Sequence, residues 1–198
     1  MKIFKYKLLF FVLFLGFLSC SKDSSSSPID NSGNGNGNPS GNADLWSIPF
    51  EEVRDGGPGK DGIPSVDNPQ FTSIENINYL KEDDLIIGYR IGGELRGYPH
   101  PILDWHEIVN DSNGTQNTTI TYCPLTGTGI AWNREFNGKV TTFGVSGLLY
   151  NSNLIPYDRA TDSNWSQMLL KGVNGQMINT KVKTSSVFET TWATWKKM

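Results

Sequence analysis

Cysteine and histidine are scarce in this chain, with two of each among 198 residues. Two cysteines exclude a disulfide-stapled scaffold and any four-cysteine zinc or iron–sulfur centre. Positive charge is not in excess either. Seventeen Lys+Arg face twenty Asp+Glu, for a net charge of −3 and a pI near 5.4. With no basic block in the chain, a nucleic-acid partner is not expected. A long apolar run is missing as well: residues 8–18 are eleven apolar or small residues, against the roughly 20 that cross a bilayer as a helix. No unit of 20–50 residues recurs, which excludes solenoids and propellers.

What is present begins with an address. Lys2, Lys5 and Lys7 form a basic head before the short apolar run, the layout of a secretory signal. The run ends Phe17-Leu18-Ser19-Cys20, which resembles the lipobox of bacterial lipoproteins. That resemblance implies cleavage after residue 19, lipidation of Cys20, and an extracytoplasmic protein held to the outer membrane by its acyl chains. At about 0.8 kcal/mol per buried methylene, two or three such chains anchor a protein durably. Cleavage removes three lysines and no acid, leaving 14 basic against 20 acidic residues, a net −6. So acidic a protein gains nothing from an anionic lipid surface, and the lipid alone must hold it. Residues 21–43 are mostly Ser, Gly, Asn and Pro, with Lys22, Asp23 and Asp30 the charged residues. Such a stretch cannot bury enough apolar surface to offset its ordering entropy, so a flexible tether is expected over residues 20–43. Its mean span is about 25–29 Å.

From about residue 44 the composition changes, and all six tryptophans follow. One globular domain is expected over 44–198, of α+β class, mainly antiparallel sheet with one or two short helices. LIIGYRI (85–91), Gly92-Gly93 and ELRGY (94–98) read as a hairpin, because glycine supplies the positive φ of a two-residue turn. TTITYC (118–123) and GIAW (129–132) read as strands. Asn137-Gly138 predicts a second hairpin turn, and 148–158 a further strand or strand pair. Connections this short leave no room for helical crossovers, which favours antiparallel pairing. The helix is expected over 101–111, opening on Pro101. At 100° per residue, Ile102, Trp105 and Val109 form its apolar stripe and His106 sits on the stripe's edge. Trp105 and Trp132 are thus expected in the core, Asp104 and Glu107 toward solvent, and His100 at the helix start, outside the stripe.

Five ordered strings then resemble a known family: DGIPSVDNP (61–69), GYPHPILDWHEIVND (97–111), TYCPLTGTGIAW (121–132), the long segment 142–168 and TWATW (191–195). Together they are similar to domain-of-unknown-function family 3179, whose activity the resemblance does not supply. Many members carry Cys-Pro-Leu-Cys where this chain has Cys123-Pro124-Leu125-Thr126. With Thr126 in the second position and Cys20 assigned to lipid, dithiol redox chemistry is not expected. Family members usually continue past the Trp-x-x-Trp segment, so a truncated C-terminus, with Trp192 or Trp195 unusually exposed, is a further expectation.

The candidate chemistry centres on Cys123 and His106, with His100 as a further ligand and Tyr122, Thr126 and Thr128 close by in sequence. One reading is a soft-metal site for copper or zinc, completed by water, Asp111 or Glu107. A second makes Cys123 and His106 a thiolate nucleophile pair. A third leaves Cys123 as a small packed hydrophobe. Alternation along 118–123 puts Cys123 on the face of Thr119 and Thr121, and a helix packed across that face would bring His106 to it. A different class of function is a non-catalytic module on which exposed tryptophans and tyrosines bind a glycan or peptide; tryptophans buried in the core would count against it. Ser146 in GVSG lacks the full nucleophile-elbow pattern. Asp61, Asp67 and Asn68 do not match a calcium-loop spacing, and are expected to bond their own loop's backbone.

Overall fold

The computed structural model describes residues 45–198. The signal segment, Cys20 and the tether fall outside the described residues. In chain order the strands are β1 (Val53–Asp55), β2 (Val66–Asp67), β3 (Leu85–Ile91) and β4 (Glu94–Pro99), followed by helix α1 (His100–His106). Next come β5 (Ile108–Asn113), β6 (Gln116–Cys123), β7 (Thr128–Asn133), β8 (Glu135–Phe136), β9 (Lys139–Val140), β10 (Phe143–Tyr150) and β11 (Asn153–Asp158). The chain closes with β12 (Asn164–Ser166), β13 (Lys171–Asn174), β14 (Thr184–Ser185), β15 (Phe188–Thr191) and helix α2 (Trp192–Trp195).

The strands form two five-stranded sheets, ordered β1-β10-β11-β12-β13 and β14-β7-β6-β5-β2, a three-stranded sheet β15-β3-β4, and the small β8-β9 ribbon. Pairing is antiparallel except between β2 and β5. The expected mainly antiparallel sheet with few short helices is what the described residues form.

Strand alternation explains the layering. On β6, Ile120 and Tyr122 join Ile87, Tyr89 and Tyr98 of the three-stranded sheet and Leu103 of α1 in one core. The opposite face of the same sheet supplies Ile108, Cys123 and Trp132, which pack with Phe143, Leu154 and Trp165 of the other large sheet. The sheet containing β6 is therefore the middle layer, buried on both faces. A third cluster of Ile48, Val53, Ile155 and Val173 seals the outer face of the β10–β11 sheet.

The Gly92-Gly93 turn joins β3 and β4 with φ of 57° and 85°, and Asn137-Gly138 closes β8–β9 with φ of 51° and 73°. Both match the sequence reading. The helix does not. It stops at His106, where Glu107 adopts φ 55° and its N–H donates to Leu103 O at 2.7 Å. Ile108 and Val109 then enter β5 opposite Thr121 and Ile120, because β-branched residues pack better on a paired strand than on a helix. Losing Val109 from the helix removes the stripe inferred for it. Leu103 is the buried anchor of α1, and Trp105 is 77% exposed. His100, expected outside the stripe, is buried.

Candidate functional site

A cavity of about 570 Å³ lies where β4, α1, α2 and residues 69–80 converge. Tyr98, Ile102 and Leu103 line it, together with Phe71 and Leu80 and with Trp192 and Trp195. Helix α2 is positioned by its own cap, Thr194 N–H donating to Thr191 Oγ1 at 3.3 Å. It is also tied to the loop before β3, with Trp192 N–H donating to Asp84 O and Ala193 N–H to Glu82 O. Trp195 stacks on Phe188 at 6.0 Å between ring centres. It reaches the sheet only because position 97 is glycine: a Cβ there would stand 2.9 Å from the indole.

The polar groups of this region are paired with one another. Arg96 donates to Asp111 at 2.7 Å and to Glu94 at 2.8 Å, and its guanidinium lies 4.6 Å from the centre of the Phe71 ring. Tyr98 donates to the other oxygen of Asp111 at 2.7 Å. Burial, then the bond to Asp111, pushes the Tyr98 phenol far above its ordinary range, so it stays protonated. Asp111, a candidate to complete a metal site, is committed to Arg96 and Tyr98. An aromatic and aliphatic cavity with its charges already matched suits an uncharged apolar guest.

The residues singled out for chemistry are placed as follows. Cys123 is 1% exposed, in the core between the two large sheets, with Sγ 3.7 Å from Ser152 O. His106 is half-buried and its Nδ1 lies 2.8 Å from Pro64 O. Helix α1 packs through Leu103 on the Ile120 and Tyr122 face, not on the face of Cys123. His100 bonds the Tyr122 hydroxyl through Nδ1 at 3.2 Å, and its Nε2 lies 3.0 Å from Glu189. That second contact has ion-pair distance but not hydrogen-bond alignment. Burial, then the neighbouring carboxylates of Asp104 and Glu189, raises the Tyr122 phenol. The Glu107 carboxyl is raised by burial. Among the described residues no hydrogen bond or ion pair joins Cys123 to either histidine, and no three His, Cys, Asp or Glu side chains gather as a metal-binding group.

Thr126 and Thr128 belong to a partly buried polar network rather than to a reactive thiol. Gln167 donates to Thr121 and to Thr128 O, and accepts from Asn153, whose amide also donates to Thr126. Ser146 donates to Ile155 O within its sheet. Trp132 and Trp165 are core residues, and Trp192 is buried while Trp195 is half-buried. The exposed indole of Trp105 stands apart from these.

The reading of 61–69 as a self-bonded loop is corrected. Asp61 accepts from Tyr157 and from Arg159, the latter at 3.0 Å, and Asp67 accepts from Asn110 at 2.7 Å. Asp61 and Asn68 adopt positive φ, and the Asn68 N–H donates to Asn110 O at 3.2 Å. The cavity is the feature that sequence reasoning missed. Its only sequence signal was the paired tryptophans of 191–195, whose partners at 69–80 lie more than a hundred residues away in the chain.

The family model described as a protein of unknown function (DUF3179) matches residues 60–198. The chain belongs to that family. Comparison with curated proteins and with solved structures gave no match. The family's match begins just before the 61–69 segment that pins β2 to Asn110 and Arg159, and it takes in every residue that lines the cavity.

Proposed function

We propose that this DUF3179 protein is a lipid-anchored, extracytoplasmic binding module whose cavity between β4, α1 and α2 takes small, uncharged, apolar groups of its ligand. The anchor is supported by the basic head, the short apolar run and Phe17-Leu18-Ser19-Cys20. Labelled palmitate is expected to enter the wild type and not Cys20→Ala; an unlabelled, soluble wild type contradicts the anchor.

The binding role rests on the cavity itself. Its volume of about 570 Å³ lies within the range of roughly 300–1,000 Å³ typical of small-molecule sites. A copper, zinc or thiolate role for Cys123, His106 and His100 has less support, because each of these side chains is turned to a different structural partner. The test is a titration with the apolar fluorophore N-phenyl-1-naphthylamine. Saturable binding at one site is expected, weakened at least about tenfold by Ile102→Trp, which fills the cavity, and unchanged by Cys123→Ser. Equal binding by wild type and Ile102→Trp rejects the cavity as the site.

A further inference from the structure

The edge of β4 adds a second kind of recognition to the same cavity. Ile91 pairs with Glu94 across a two-residue turn, so that pair exchanges main-chain hydrogen bonds, and bonded and non-bonded pairs then alternate along the hairpin. Arg96 opposite Tyr89 and Tyr98 opposite Ile87 are bonded to β3. Leu95 and Gly97 therefore direct their N–H and C=O groups away from it. Strand β4 is the end strand of its sheet, and among the described residues no group bonds these four atoms from the outside. Leu95 and Gly97 both line the cavity. A ladder of unpaired main-chain groups, about 6.8 Å from one residue to the next but one, thus borders a groove with aromatic walls. Native sheet edges are ordinarily blunted by charge or covered, and here Arg96 and Glu94 are spent on each other and on Asp111.

We infer that the ligand is an extended peptide that adds to the outer edge of β4 as a further strand, bonding Leu95 and Gly97 and placing alternate apolar side chains in the cavity. In this recognition mode main-chain bonds supply affinity and side-chain pockets supply specificity. The charge around the groove favours a peptide carrying lysine or arginine near its ends. The lining segment 69–80 carries Glu75 and no cation, and Glu82, Asp83 and Asp84 follow just beyond it against Lys81; of these acids only Glu82 is paired with a cation, Lys196. The chain as a whole is acidic, which steers a cationic partner toward it.

The inference rests on the binding reading above, and the experiment separates the two. Six synthetic nonapeptides with a lysine at each end are used, alternating threonine with phenylalanine, leucine, isoleucine, valine, tryptophan or methionine. Amide hydrogen exchange of Leu95 and Gly97 is followed by NMR, with N-phenyl-1-naphthylamine displacement in parallel. At least one peptide is expected to slow exchange at both amides about tenfold or more and to displace the dye. Its analogue with alternate peptide nitrogens methylated is expected to lose about tenfold or more in affinity. If no peptide protects these amides while the dye still binds, strand addition is wrong and the cavity reading survives. If neither binds, both fail. If the protein alone sediments as a dimer that protects the same two amides, the edge is a self-association surface and the inference is overturned.

Discussion

Tyr157 shows how one side chain links the 61–69 segment to the sheets and to pH. Its hydroxyl donates to Asp61 and its ring lies beneath Lys60 and beside Arg159. Burial first, and then the bond to Asp61, pushes the phenol up to about 12, against the opposing charge of Arg159. An ordinary tyrosine titrates near 10. Between these two values the folded protein keeps a proton that the unfolded chain releases. Stability is therefore undiminished below pH 10 and falls as pH rises toward 12, by at most about 2–3 kcal/mol from this residue. Tyr98, raised for the same reasons, adds to the slope. Urea midpoints measured from pH 9 to 12 should decline more steeply for wild type than for Tyr157→Phe; identical slopes would show that the phenol is not held this way. None of this was legible in DGIPSVDNP. The acids and turn residues marked an ordered segment, but Tyr157 and Arg159 lie more than ninety residues away, and one-dimensional spacing carries no record of such contacts.

At the scale of elements, strands with a turn signal at both ends were legible and the helix was not. LIIGYRI and ELRGY flank two glycines, and TTITYC and GIAW flank a Pro and Gly turn, so local chemistry and tertiary pairing agreed. The segment 101–111 carried two messages. Pro101 and the spacing of Ile102 and Trp105 favoured a helix, while Ile108 and Val109 matched the β-branched face of β6. The sheet won from Ile108 onward, because a strand buried on both faces gains more from these residues than one further helical turn does. The consequence is measurable. Leu103→Ala removes the side chain that joins α1 to Ile120 and Tyr122 and should cost about 2–5 kcal/mol. Trp105→Ala, at the most exposed large side chain of the helix, should stay within about 0.5 kcal/mol. Denaturation of the two variants in urea distinguishes this arrangement from the helical stripe read from the sequence, under which Trp105→Ala would be the costly change.

For the whole molecule, three sheet layers leave a large concavity where the last helix folds back on β4. The sequence pointed elsewhere, to Cys123 and His106, since rare reactive residue types stand out in a chain that has few of them. The architecture sends Cys123 into the core between two sheets and turns His106 to the Pro64 carbonyl. It leaves the cavity to aromatic and aliphatic residues whose types are common and whose convergence appears only in three dimensions. The central claim is that this cavity binds an apolar guest in the folded state. A guest that binds only the native protein stabilises it by RT ln(1 + [L]/Kd), about 2.7 kcal/mol at a hundredfold excess over Kd. The measurement is the urea unfolding free energy of wild type and Ile102→Trp, each with and without N-phenyl-1-naphthylamine at one hundred times the wild-type Kd. The account predicts stabilisation of about 2.7 kcal/mol for wild type and no more than about 1.4 kcal/mol for Ile102→Trp; equal stabilisation of both proteins, or none of the wild type, would contradict it.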